Sequence, residues 1–308
     1  MVRHLKITDG KLLESGASDA QVLVYSAPDD AERQYLMDQL KVDEHTLNSA
    51  LDPDEPARLE FEPEHTALIL KRPKSYASAD DFLFRVASIG LFLFKDRLII
   101  VAAEDGQLFE GKPNLRMRSL QDAILKLLYR CIYHFEQHLK VINTISAAIE
   151  LEINTAMENK HLLNLFTLEK SLVYYLNAIN SNSVLIGKLR TNAAKLGFTP
   201  ENLEALDDIV IENSQCHEQA HIYSNILASL MDARASIVAN NLNVLMKNLN
   251  LIMIALMLPT LVVSIFSMNV ALPIAQEGSW SFWLVMALAT AASSVVALIW
   301  WRKRVFSK

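Results

Sequence analysis

Apolar and polar positions are unevenly distributed along this chain of 308 residues. Up to about position 118 the apolar residues come in short runs and alternations. QVLVYSA, ARLEFE and HTALILKRP have the β-branched content and alternation of strands, and LFRVASIGLFLFKDRLIIVAAE reads as a hairpin turning at Lys95-Asp96-Arg97. DDAERQYLMDQL carries an amphipathic helical pattern, and DEHTLNSALD a second. Residues 1–118 are therefore expected to form a mixed α/β domain.

From Ser119 onward the period is helical. Ser119 is a suitable N-cap for a helix to about Glu158, and a second helix is expected from about His161 to Leu196, stopped by Gly197. Together they would make a helical hairpin over 119–198. Thr199 then caps a third helix with Pro200 in its first position, where a missing N–H costs nothing. No Pro or Gly follows Pro200 until Pro259, so this helix would run about 66 residues, roughly 100 Å, to Phe266. Leu203, Leu206, Val210, His217, Ala220, Leu227, Val238 and Leu245 step along it by threes and fours or multiples of them, the spacing of a packed stalk.

The chain ends in two apolar segments. Residues 249–266 contain no charge, and residues 280–301 read WSFWLVMALATAASSVVALIWW. A membrane span needs about 20 predominantly apolar residues, and Trp280, Trp283, Trp300 and Trp301 suit the two interfaces. The expected division is a stalk helix continuing into a first span over 199–270, an external loop over 271–279, and a second span with a basic tail over 280–308. Lys247 precedes the first span and Arg302, Lys303, Arg304 and Lys308 follow the second, whereas the loop carries only Glu277. By the positive-inside rule both termini face the cytoplasm. The expected class is an α+β membrane protein, multi-pass in the plasma (inner) membrane.

One helical stripe runs through Asn243, Met246, Asn250, Met253, Met257, Thr260 and Ser264 to Ser267 or Met268, all polar or thioether side chains. Lipid cannot satisfy polar groups, so such a stripe faces a bundle interior or a water-filled cavity. Two spans cannot enclose a cavity. A ring of identical subunits can, with the stripe on its axis and the second span outside, packed through Ala289, Ala292, Ser293 and Ser294. Asn269 ends the span as a cap, and in a ring it would also present amide oxygens at the outer mouth.

Net charge is −6 and the pI is near 5.8, which disfavours a nucleic-acid partner. Cys131 and Cys216 have no pairing pattern, and no glycine-rich loop follows a strand. No resident cofactor is implied. HEQAH, residues 217–221, fits the H-E-x-x-H pattern of zinc proteases, with Glu218 as general base. A membrane-anchored metalloprotease is thus a rival reading, and a tethered sensor without transport another. HFEQH, residues 134–138, has the spacing without the catalytic Glu.

LPTLVVSIFSMNVALP, the long helix before it, the final span with its basic tail, and DPDEPARLE at 52–60 together resemble the CorA family of divalent-cation channels. That family ends its first span with Gly-Met-Asn; here the triplet is Ser267-Met268-Asn269. The resemblance implies a homopentameric funnel with cytosolic termini that passes Mg²⁺, or Co²⁺ and Ni²⁺, passively along its axis. It places Asn269 at the selectivity ring and Thr260, Met257, Leu249 and Asn243 along the pore, with Leu249 in place of Asn250. It also matches Asp208 to a carboxylate that senses Mg²⁺, whose usual partner falls at Ser49, a residue without a carboxylate. The zinc-transporting branch of the family likewise departs from Gly-Met-Asn, so Zn²⁺ transport, proton-coupled or not, is the alternative cargo.

Overall fold

A computed structural model describes residues 2–76, 80–104, 116–155, 159–268 and 279–306. They divide into two compact units, Met1–Met231 and Asp232–Lys308. The first unit is built on seven strands: β1 (Val2–Thr8), β2 (Lys11–Glu14), β3 (Val22–Ser26), β4 (Arg58–Phe61), β5 (Thr66–Pro73), β6 (Val86–Leu93) and β7 (Leu98–Ala102). They form one sheet in the order β2-β1-β3-β7-β6-β5-β4. Only β3 and β7 pair in parallel; the other neighbours are antiparallel.

The β1–β2 hairpin is an addition to the elements expected from sequence. Its signal is Asp9-Gly10, with φ of +52° and +77° between partners Thr8 and Lys11. A two-residue loop with both central residues at positive φ matches the twist of the strands it joins.

Both faces of the sheet are covered. Leu98 and Ile100 of β7 join Leu68, Leu70, Ile89 and Leu91 in a core shared with the long helices. Ile99 and Val101 join a second core with Leu36, Leu47 and Ala50 of α1 (Asp30–Asp38) and α2 (Glu44–Leu51). That two-sided burial explains why β7 is apolar at all five positions. A reciprocal capping box between Asp29 and Glu32 starts α1, and the Asp43 carboxylate accepts from the Thr46 N–H at the start of α2.

The long helices are α3 (Leu120–Thr155), α4 (Asn159–Thr191) and α5 (Pro200–Phe266). After α4 the chain turns at Gly197, φ +70°. Thr199 and Asn202 then bond reciprocally through side chain and backbone N–H, at 3.0 and 3.3 Å, to start α5. The packed stripe of α5 in the first unit is Asn202, Leu206, Ile209, Asn213, Cys216, Ala220 and Leu227. This corrects the stripe read from sequence: Leu203, Val210 and His217 flank it, half-buried, and Val238 and Leu245 are exposed. Apolarity misled because two of the packed residues are amides with specific partners. Asn202 donates to the Asp122 carboxylate at 2.5 Å, and Asn213 to the Ile179 carbonyl at 3.3 Å.

The second unit comprises the rest of α5 and α6 (Ser279–Phe306). Among the described residues, α5 carries the one segment long and apolar enough to cross a membrane, and none of that segment is buried. The apolar stretch described on α6 is Trp280–Val295.

Candidate ion pathway on the long apolar helix

In the second unit, α5 has one partly shielded stripe, through Leu251, Ala255, Leu258, Val262 and Phe266. Asn243, Met246, Leu249, Asn250, Met253, Met257, Thr260, Ser264, Ser267 and Met268 are all exposed. At about 100° per residue, the polar and thioether stripe lies on the opposite side of the helix from the shielded one. On α6, Ala289 is buried, Ala292 and Ser293 are half-buried and Ser294 is exposed. The shielded side of α6 thus includes the small residues Ala289, Ala292 and Ser293 beside the larger Leu284 and Val285.

The hydroxyls on this face have defined roles. Thr260 Oγ1 donates to the Leu256 carbonyl at 2.7 Å, and Ser267 Oγ donates to the Ser264 carbonyl at 3.0 Å. With their protons committed to the backbone, both oxygens present lone pairs outward. A hydrated cation turns its water protons outward, so acceptors are what it needs from a wall. Pro259 precedes Thr260 and supplies no N–H, which withdraws the usual intrahelical partner from the Ala255 carbonyl. Beside it, an open depression of about 540 Å³ is lined by Met257, Thr260 and Ser264, with Ile254 and Leu261. Asn269 lies outside the described residues.

In the first unit, Asp208 is exposed on α5. Burial, then Glu212, Glu136 and Asp208 in turn, raise the pKa of Tyr129. Burial and a hydrogen bond with Glu212 hold the Glu136 carboxyl above its ordinary range. Glu136 and Glu212 were not singled out by the sequence, because their meeting depends on how α3 packs on α5. Ser49 is 4% exposed and accepts from Arg58 Nη2 at 3.0 Å; Arg58 also pairs with Glu55 and Glu60. A hydroxyl so buried and engaged is not available as a metal ligand at the surface.

His217 is half-buried and His221 exposed, with Asn225 Nδ2 at 3.4 Å from His221 Nδ1. Among the described residues, no set of three His, Cys, Asp or Glu could hold a metal ion. Among these residues the HEQAH turn has no third protein ligand of the kind a catalytic zinc requires, and the protease reading finds no support. His134 and His138 of HFEQH are engaged inside the fold, where His138 Nδ1 lies 2.6 Å from the Tyr175 hydroxyl.

Residues 20–304 match the family model for CorA-like Mg²⁺ transporter proteins. No curated protein matches the chain. Solved structures of similar fold include the complete CorA magnesium transporter from Methanocaldococcus jannaschii, at 18% identity and a TM-score of 0.79, over 97% of this chain and 96% of that one. The full-length CmaX protein is similar at 15% identity and a TM-score of 0.71, covering 98% and 97%. The cytoplasmic domain of ZntB from Vibrio parahaemolyticus is similar at 14% identity and 0.59, over 77% of this chain and 98% of that domain. At such identities the likeness shows a common fold, an α/β soluble domain followed by a long helix, while the family match spans nearly the whole sequence: the chain is a member of the CorA family of metal-ion transporters, which are membrane proteins.

Proposed function

We propose that this protein forms a homo-oligomeric, axial pathway through which Mg²⁺, and Co²⁺ or Ni²⁺, move passively down their electrochemical gradient. The observation that carries this reading is the exposed stripe from Asn243 to Ser267 on the side of α5 opposite its shielded face. Left against lipid, that stripe would strand its polar groups; turned toward an axis shared by several copies, it lines a wet path. In the proposed assembly, a pentamer by family resemblance, α6 is the second span and lies outside α5. The soluble unit and both termini are cytoplasmic, and the membrane is the plasma (inner) membrane.

The proposed path places Asn269 at the outer mouth with Ser267 and Met268. Thr260, Ser264, Met257, Met253, Leu249, Met246 and Asn243 follow inward. Mg²⁺ gives up water reluctantly, so neutral acceptors that touch its hydration shell suit passage better than a carboxylate cage. A membrane potential of 100 mV supplies about 4.6 kcal/mol per divalent ion, from about 2.3 per charge. No chemical step is invoked. Asp208 is the proposed regulatory contact, acting without Ser49.

The test is ion flux in liposomes across Mg²⁺, Co²⁺, Ni²⁺ and Zn²⁺, with and without a pH gradient. Asn269→Ala is expected to reduce flux; unchanged flux would overturn the mouth assignment. Thr260→Val keeps the shape but removes the outward acceptor. It is expected to lower flux about tenfold, as loss of one hydrogen bond to a charged group implies, while Thr260→Ser retains it. Equal flux in Thr260→Val would remove Thr260 from the path. Zn²⁺ is the second reading, and Ser267 favours it: the hydroxyl oriented by Ser264 stands where the family carries a bare glycine. Under that reading Ser267→Gly shifts preference from Zn²⁺ toward Mg²⁺.

A further inference from the structure

A cleft of about 400 Å³ opens in the first unit where the loop after α2 meets the β5–β6 connection and α4. Four charged side chains line it: Lys71, Arg85, Lys170 and Asp54. Lys71 is the deep member, only 5% exposed. Its ammonium donates to the Pro53 carbonyl at 2.7 Å and to Ser88 Oγ at 2.9 Å. An ammonium has three N–H donors, so one remains uncommitted among the described residues. Arg85 and Lys170 are exposed at the rim and have no carboxylate partner among the described residues; Lys170 Nζ stands 5.8 Å over the Tyr174 ring. Ser181 Oγ accepts from the Ala57 N–H at 2.7 Å, which leaves its own proton to donate.

The charges do not cancel. Three cations face Asp54, with Asp52 also acting on Lys71, so the lining keeps a net positive charge and its complement is an anionic head group. Pro53, Pro56, Leu83 and Val86 give the cleft an apolar side, beside the polar Asn177 and Ser181, and the volume is that of a small-molecule site. We propose that this cleft binds a phosphate monoester with an apolar body, its anionic head held by Lys71, Arg85 and Lys170 and its body against Pro53, Pro56, Leu83 and Val86. Burial alone holds the Lys71 ammonium down to about 8, with Asp52 and Asp54 opposing the shift. An anion in the cleft adds to that opposition and keeps the lysine charged.

Phenyl phosphate is the probe, titrated into the full-length protein in detergent by isothermal calorimetry, beside inorganic phosphate, benzoate and phenol. Saturable binding of phenyl phosphate is expected, with the other three at least about tenfold weaker. Arg85→Glu and Lys170→Glu are each expected to weaken it by roughly tenfold or more. Both side chains are exposed, so these variants keep the fold, whereas Lys71→Met also loosens the 52–56 loop. No saturable binding, or binding unchanged in both rim variants, overturns the proposal. Inorganic phosphate bound as tightly as phenyl phosphate overturns the role of the apolar wall. Binding is read without transport, so the outcome is independent of the pathway reading.

Discussion

Lowering the pH from 7 to 4 is expected to destabilise the soluble unit by several kcal/mol, through two histidines. His134 and His138 lie one turn apart on α3 with ring centroids 4.4 Å apart. Burial pushes both from an ordinary value near 6.5 down to about 4; Arg72 and Arg130 add to this at His134, and His134 itself adds to it at His138. The Tyr175 hydroxyl, whose own pKa burial raises, keeps its proton and shares a hydrogen bond with His138 Nδ1 at 2.6 Å. Both folded-state values lie below the unfolded ones. The folded state therefore carries no penalty above about pH 6.5, and the penalty grows as the pH falls and is complete below about 4. It amounts to about 3 kcal/mol per ring, a large share of a typical domain stability of about 5–15 kcal/mol. All four tryptophans lie between positions 280 and 301, so far-UV circular dichroism is the appropriate probe of this unit. His134→Asn should make the fall in melting temperature between pH 6.5 and 4.5 shallower. A wild-type profile matched by the variant would mean that the pair does not control acid stability.

Gly90→Val is expected to prevent the soluble unit from folding, and Gly90→Ala to cost about 1–3 kcal/mol. Gly90 sits in β6 under α2. A Cβ built there meets the Ala50 Cβ at 2.5 Å and the Phe92 ring at 3.1 Å. Neither neighbour can retreat: both are fully buried in the second core, and the Ala50 Cβ moves only with its helix. Ala50→Gly removes one of the clashing atoms at a helix cost of about 1 kcal/mol. In a double-mutant cycle, the pair should therefore be less harmful than the sum of its parts. Strictly additive losses in thermal stability would show that the close approach of α2 to β6 is not the cause.

The elements that could be read from sequence are those whose pattern is local. The strands around Leu68, Ile89 and Ile100 and the 67-residue helix α5 fall in stretches where period or uninterrupted helical composition is decisive. The β1–β2 hairpin is not evident from the apolar pattern although Asp9-Gly10 announces it, because its strands bury only Leu5 and alternate weakly. The packed face of α5 was misjudged for the converse reason: Asn202 and Asn213 look like solvent residues until Asp122 and Ile179 are found opposite them. The stripe through Met257 and Thr260 can be picked out in the sequence because polar and thioether residues stand out in an apolar run; its exposure and the direction of the Thr260 proton come from the coordinates. The cleft around Lys71 could not be read at all. Its charges lie at positions 54, 71, 85 and 170, far apart in sequence, and HTALILKRP gives no sign that its lysine turns inward.

The two buried amides of α5 also bear on how this helix can move. Asn202 is tied to α3 through Asp122 and Asn213 to α4 through Ile179. Sliding α5 by one turn, or rotating it about its own axis, would break both bonds and leave the groups desolvated without partners, at about 1–3 kcal/mol for each. Tilting α5 together with α3 and α4 breaks neither. The amides thus act as keys in a shaft: within this unit they disfavour screw motion of α5 against α3 and α4 and permit levering of the three helices together.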